Sequence, residues 1–199
     1  MNAKIPNIVI FASGSGSNAE NIINWSKERN CYRVTAVFCN RKDAFVHTRA
    51  ERLGVPHFTF SPAGFRDNSI IYNGVQRTLT DVLSELETDY IILAGFLLKV
   101  PGYLLESYPE RILNIHPALL PSYGGKGMYG EYVHKAVIAA GEKESGITIH
   151  LVDNQYDHGR ILYQAKCPVS PEDTPETLFE KVHQLERAYP EVIEKYIRG

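Results

Sequence analysis

The sequence predicts an α/β protein: an open, mostly parallel, twisted sheet of about seven strands with helices on both faces. Three observations lead there. Residues 7–12 (NIVIFA), 34–39 (VTAVFC) and 90–94 (YIILA) are continuous apolar runs, which is how strands buried on both faces read. Helix-like segments separate the early strands, as right-handed parallel crossovers require. The chain's 199 residues, 44% of them hydrophobic, suffice for one domain with its own core.

Strand 7–12 closes in the turn SGSGSN, and a helix follows over 19–29, its start marked by Ser17 and Glu20 in the S-x-x-E spacing of a capping box. Residues 34–39 form the second strand, 44–53 a helix ended by Gly54, and 57–60 a short third strand. Ile71, Val75, Leu79, Val82 and Leu86 recur at helical spacing and predict an amphipathic helix over 69–87. Strand 90–94 comes next, then a short helix near 101–107 and a strand over 111–115, stopped by Pro117 because proline cannot donate to a ladder. Residues 119–130 (LLPSYGGKGMYG) form a glycine-rich loop, mobile or facing a ligand. Val133, Val137 and Ala140 place a helix that Gly141 ends. Strands 147–152 and 161–165, joined by DNQYDHG, read as an antiparallel pair. Thr174 and Pro175 open a last helix running to about Ile197 with a kink at Pro190.

Lys+Arg number 21 against 23 Asp+Glu, a net charge of -2, so no global basic field exists to grip nucleic acid and any bound anion needs local donors. The odd set Cys31, Cys39 and Cys167 contains no Cys-x-x-Cys pair, which argues against a disulfide framework or zinc ribbon and fits a reducing compartment. The apolar run 8–12 is too short for a signal-peptide core or a membrane span. The expectation is a cytoplasmic protein with small-molecule partners and neither nucleic acid nor membrane.

In SGSGSNAE, Gly14 and Gly16 let the backbone approach a ligand, while Gly16, Ser17 and Asn18 at a helix start supply donors suited to phosphate. The spacing Gly14-x-Gly16-x-x-Ala19 also fits the permissive dinucleotide fingerprint. Such folds place an acidic residue at the end of the second strand, where this chain has Asn40-Arg41. NAD is disfavoured and NADP stays as an alternative, beside a plain tight turn that binds nothing.

On the strand RILNIH, Asn114 and His116 are two residues apart and share a face, near the carboxyl end where open α/β sheets bind ligands. On ITIHLV, Thr148 and His150 share a side, and the next turn carries Asp153, Asp157 and His158. A carboxylate from that turn would orient His116 or cap the turn, and on residue type alone each histidine reads first as a hydrogen-bonded structural residue. His116, His134, His150, Asp157 and His158 form no H-E-x-x-H or other ligand motif, so no metal is expected. No G-x-S-x-G elbow exists for a serine nucleophile.

GSGSN, YIILAGF, NIHPALLPS, GITIHLVD and YDHG occur in one order across the whole chain. Together they resemble the phosphoribosylglycinamide formyltransferases, a formyl-folate-dependent family of purine biosynthesis. The resemblance implies formyl transfer from 10-formyltetrahydrofolate to the amine of glycinamide ribonucleotide without metal, by direct attack through a tetrahedral intermediate. It also implies a single domain over 1–199, with a Rossmann-like phosphate-binding half (1–100) and a mixed catalytic and folate-facing half (101–199), as a monomer or homodimer. By residue, Gly16, Ser17 and Asn18 would hold the phosphate. Asn114 would hold the formyl oxygen beside the folate, His116 would donate a proton, and Asp157 would favour the protonated imidazole. Leu97, Leu98, Lys99 and Val100 would line the folate pocket, and Glu186 would contact the glycinamide end. A fixed amide and an imidazolium are the groups that stabilise charge developing in such an attack. Arg66 falls out of register with an arginine the family places near the folate, and the loop carrying Lys126 and Met128 is longer than in many members.

Other readings stand beside this one. Methionyl-tRNA formyltransferases and formyltetrahydrofolate deformylases share the Asn-x-His-Pro core but carry added domains for which 199 residues leave no room. A sugar-nucleotide formyltransferase is disfavoured weakly by GSGSN, and a noncatalytic NADP-binding module would need no later polar cluster.

Overall fold

The computed structural model describes residues 4–199. Its main sheet uses β1 (Asn7–Ala12), β2 (Arg33–Cys39), β3 (His57–Thr59), β6 (Tyr90–Leu93), β7 (Ile112–His116), β8 (Glu144–Leu151) and β9 (Ile161–Pro168), in the order β3-β2-β1-β6-β7-β8-β9. Strands β3, β2, β1, β6 and β7 are parallel, whereas β8 pairs antiparallel with β7 and β9 with β8. The seven-stranded, mostly parallel sheet thus agrees with the sequence. The chain reverses direction across the sheet between β1 and β6, the switch point at which open sheets leave a crevice at their carboxyl ends.

Helices α1 (Ser17–Arg29), α2 (Val46–Arg52), α6 (Glu131–Ala139), α7 (Pro175–Leu185) and α8 (Tyr189–Arg198) join one core layer, with Ile8, Ile10, Leu113 and Ile115 beneath them. On the other face, α3 (Pro62–Arg66), α4 (Leu79–Glu85) and α5 (Gly102–Ser107) pack with Val9, Phe11, Ile91 and Ile112 in a second layer. β1 serves both layers, which is why its run is continuous rather than alternating. The Tyr189 hydroxyl, wholly buried at the start of α8, lies 3.1 Å from the carbonyl oxygens of both Leu93 and Leu113. It ties α8 to β6 and β7 just before the residues of the site.

Four local expectations are corrected. Ser17 and Glu20 form no capping box: Gly16 caps α1 in the left-handed region, Ser17 is already helical, and Glu20 pairs with Arg49 and Arg52 of α2. The helix expected over 69–87 is only α4. Ahead of it lies a hairpin of β4 (Ile70–Tyr72) and β5 (Val75–Arg77), turned by Asn73-Gly74 with φ of 51° and 80°. Such a pair favours the tight hairpin turn that matches strand twist. The helix expected over 44–53 contracts to α2. The last helix breaks at a 3₁₀ turn, Glu186–Ala188, ahead of Pro190, which sits in the first turn of α8 where a missing N–H costs nothing. Thr174 caps α7 as read, accepting from the Thr177 amide at 3.3 Å.

Candidate active site

At the carboxyl end of β1 the backbone turns through Gly16 with φ +78°. A Cβ there would lie 2.5 Å from Cγ2 and 2.9 Å from Cα of Val46, so close packing against α2 demands glycine. The turn's carbonyls are used: the Val46 amide donates to Gly14 O at 3.3 Å, Arg49 Nε to Ser15 O at 3.0 Å, and the Glu20 amide to Gly16 O at 2.9 Å. The amides of Gly16, Ser17 and Asn18 donate to nothing among the described residues, and they stand at the positive end of α1. Free main-chain amides so placed can hold an anion.

Beside it, Asn18 Nδ2 donates to Glu186 Oε2 at 2.9 Å, and His183 Nδ1 donates to the same oxygen at 2.8 Å. The hydrogen bond to the Glu186 carboxylate pushes the pKa of His183 up.

Asn114 and His116 lie at the end of β7. His116 is buried, and its Nε2 donates to the Tyr123 carbonyl at 2.7 Å, which leaves Nδ1 facing Asp157 Oδ1 at 3.6 Å. Asp157 reaches there because its backbone adopts φ +53° in the turn after β8, and its second oxygen accepts from the Gly125 amide at 3.0 Å. Residues 119–130 are therefore fastened at Tyr123 and Gly125, and Gly125 to Gly130 line the cavity while Lys126, Gly127, Tyr129 and Gly130 stay exposed on their other side. Asn114 Nδ2 meets His150 Nε2 at 3.1 Å.

A cavity of about 560 Å³ joins the glycine turn to this cluster, with Gly16, Ser17, Asn18, Leu97, Asn114, His116, Asp157 and Glu186 all on its wall. Leu98, Lys99 and Val100 line a smaller adjoining hollow of about 60 Å³, which shares Phe96, Asn114, Tyr156 and Asp157 with the first. The residues that the family resemblance assigns thus all line one of two spaces with shared walls, whereas Thr148 and His158 line neither, His158 pairing with Asp153. The Leu97 amide donates to Ser13 Oγ at 3.1 Å, and that hydroxyl donates to Asn40 Oδ1 at 2.6 Å, fixing the segment that opens the smaller hollow. Asn40 is thereby used inside the fold, Arg41 lies outside both walls, and Arg66 pairs with Asp67 on the surface.

The sequence reading passed over Phe96, Tyr156, Phe179 and His183 as wall residues, and weighed His134 only as a metal ligand. His134 is buried with Nδ1 unpartnered, and burial lowers its pKa. The one available signal was position: Phe96 follows the end of β6, where an open sheet presents its ligand contacts. Among the described residues, no group of three or more His, Cys, Asp or Glu side chains is arranged to hold a metal, and no helix is long and apolar enough to cross a membrane.

Unused main-chain amides, an asparagine amide and an imidazole–carboxylate pair thus line one cleft, a set of groups that can hold an anion and move a proton. The chain belongs to the formyl transferase family, whose model matches residues 6–193. It is 41% identical over 189 residues to the chloroplastic phosphoribosylglycinamide formyltransferase of Arabidopsis thaliana, covering 94% of this chain and 63% of that protein. It is 35% identical over 190 residues to the phosphoribosylglycinamide formyltransferase of Bacillus subtilis, covering 94% and 93% of the two chains. The crystal structure of glycinamide ribonucleotide transformylase 1 from Symbiobacterium toebii superposes with a TM-score of 0.84 at 32% identity, over 98% of this chain and 89% of that one. The chain spans less than two thirds of the plant relative.

Proposed function

We propose that this chain transfers the formyl group of 10-formyltetrahydrofolate to the amine of glycinamide ribonucleotide. The observation that carries the reading is the single cavity joining the main-chain cradle at Gly16, Ser17 and Asn18 to Asn114, His116 and Asp157. The cradle takes the phosphate, and Glu186 with Asn18 takes the sugar or glycinamide end. The smaller hollow, walled by Leu98 and Val100 with Lys99 at its rim, suits a flat, partly apolar ring, and it meets the cavity at Asn114, where folate and amine must come together.

Bound there, the folate supplies the formyl carbonyl and the nitrogen that leaves. As the amine adds to the formyl carbon, negative charge develops on the oxygen, and an N–H of Asn114 donates to it. A fixed donor in such a position is worth about 3 kcal/mol of barrier. His116 keeps Nε2–H on the Tyr123 carbonyl and moves the proton at Nδ1. Asp157, 3.6 Å away, stabilises the imidazolium while the proton lost by the amine is exchanged for the one the leaving nitrogen gains. General acid help of this kind contributes typically about 10²- to 10⁴-fold.

We further infer a single catalytic unit with both halves contributing to one cleft, small-molecule partners, and a reducing, cytoplasmic setting consistent with the free thiols of Cys31, Cys39 and Cys167. Steady-state turnover of glycinamide ribonucleotide with 10-formyltetrahydrofolate tests the reading. Formylated product in stoichiometry with released tetrahydrofolate is expected. Titration that finds NADPH binding and no ribonucleotide binding refutes it.

A further inference from the structure

Asn114 and His150 are directly opposite one another in the β7–β8 ladder. Their side chains meet at 3.1 Å, Nδ2 to Nε2, while His150 Nδ1 lies 2.7 Å from the Leu151 carbonyl oxygen. A carbonyl only accepts, so Nδ1 carries a proton. His150 is 2% exposed, and burial, the largest influence on it, lowers its pKa. In the neutral ring with its proton on Nδ1, Nε2 holds a lone pair, and only a donor can face it. Of the two ends of the Asn114 amide, which have nearly the same shape, the nitrogen is therefore the one turned to His150. One of its hydrogens is used there, and the other stays for the cavity that Asn114 lines.

We propose that His150 is a positioning residue that fixes which end of the Asn114 amide meets the formyl oxygen, and that a proton added at Nε2 turns the amide end for end and stops transfer. This rests on the formyl-transfer reading of the site. A protonated Nε2 is a donor, so the amide must offer its oxygen to it. Donor and acceptor then exchange places at the cavity wall. The charged or titratable groups facing His150 are His116 on β7 and Asp153 and Asp157 on the turn after β8, with Asp157 Oδ1 at 3.8 Å. The two carboxylates favour a proton on His150, while His116 opposes it together with burial.

The test combines kinetics with a measurement that needs no turnover. His150→Leu removes the acceptor, and kcat falls roughly 10- to 100-fold, within the ~10²-fold that misplacing a reacting group costs, while the KM for glycinamide ribonucleotide changes by less than about 2-fold. In an Asn114→Ala background the same substitution costs less than about 2-fold, because the group it acts through is gone. His150→Gln, whose terminal oxygen reaches the place of Nε2 and whose amide does not titrate, recovers kcat relative to His150→Leu and loses the fall of kcat on the acid side that His150 causes. By nitrogen-15 NMR, the side-chain amide signals of Asn114 move with the ionisation of the His150 ring in the parent protein and stand still in His150→Gln. An equal cost of His150→Leu in both backgrounds, or Asn114 signals indifferent to His150 ionisation, overturns the proposal. A parent chain without formyl transfer refutes the function, and the amide titration then still decides whether His150 sets Asn114.

Discussion

Gly16→Ala perturbs the turn at which the fold and the proposed phosphate site coincide. The residue has φ +78°, where a side chain costs about 1–2 kcal/mol. The new Cβ would also lie 2.5 Å from Val46 Cγ2 and 2.7 Å from Val46 Cβ, overpacking that costs about 1–3 kcal/mol. A total near 3 kcal/mol lowers the thermal midpoint by about 6–12 °C at this chain length. Thermal unfolding by far-UV circular dichroism reads this directly. Pushing α1 away from α2 also misplaces the amides of Ser17 and Asn18, and loss of one charge-assisted hydrogen bond raises the KM for ribonucleotide about 10-fold. Two variants isolate the cause. Gly14→Ala, with nothing within 4 Å of its added Cβ, leaves the midpoint in place. Val46→Ala in the Gly16→Ala background recovers part of the loss, because it removes the Cγ2 contact but not the backbone strain. A Gly16→Ala protein with parental midpoint and parental KM refutes the reasoning, and so does a double variant whose losses simply add.

Asn114→Ala lowers kcat by about 10²- to 10³-fold in steady-state assays with little change in ribonucleotide KM, and His116→Ala abolishes transfer while ribonucleotide binding by calorimetry persists. Tyr189→Phe removes the hydroxyl hydrogen shared between the Leu93 and Leu113 carbonyls; it costs about 1.5 kcal/mol, seen as a midpoint lower by about 3–6 °C. Asp173 is held down to about 2 by its hydrogen bond to Lys181, aided by the Ser170 amide and the Thr177 hydroxyl. Its folded value lies below the unfolded one of about 3.9, so its stabilisation is present above about pH 4 and lost as pH falls through about 2. The midpoints of parent and Asp173→Asn, separate at pH 7, therefore converge on acidification.

The strands were legible wherever burial on both faces leaves an unbroken apolar run, as in β1, β2 and β6. The hairpin was not. Ile71, Val75 and Leu79 fall at helical spacing, yet Ile71 and Val75 are 59% and 61% exposed, so their spacing reflects no buried face. Asn73-Gly74 between them was the better signal, since both residues adopt positive φ. Ser17 and Glu20 failed for another reason: a capping box is a local pattern, and Glu20 is claimed by two arginines more than 28 residues away in α2. Asn114, His116 and Asp157 were found because polar residues stand out at the end of an apolar strand and in a turn. Phe96, Tyr156 and Phe179 carry no such contrast, and only tertiary folding puts them on the cavity wall.

The reversal of β8 explains how so small a set of groups comes to be so firmly held. In a wholly parallel sheet every strand reaches the carboxyl edge with its own end, so neighbours of a residue at that edge are also ends. Because β8 runs antiparallel, Asn114 near the end of β7 is paired with His150, and His116 with Thr148, residues inside a strand that is laddered on both sides by β7 and β9. The Thr148 hydroxyl donates to the Ala118 carbonyl at 2.7 Å and accepts from the Leu120 amide at 2.9 Å, so β8 also fixes the start of the glycine-rich loop. His116 and Asp157 fasten that loop further on, at Tyr123 and Gly125. The residues proposed to move the proton are thus the same ones that hold this wall of the cavity against the sheet. A change of charge on either is felt by the loop as well as by the substrate. Asn114 and His116 are both set by the sheet, and Asp157 reaches them from the turn that follows β8.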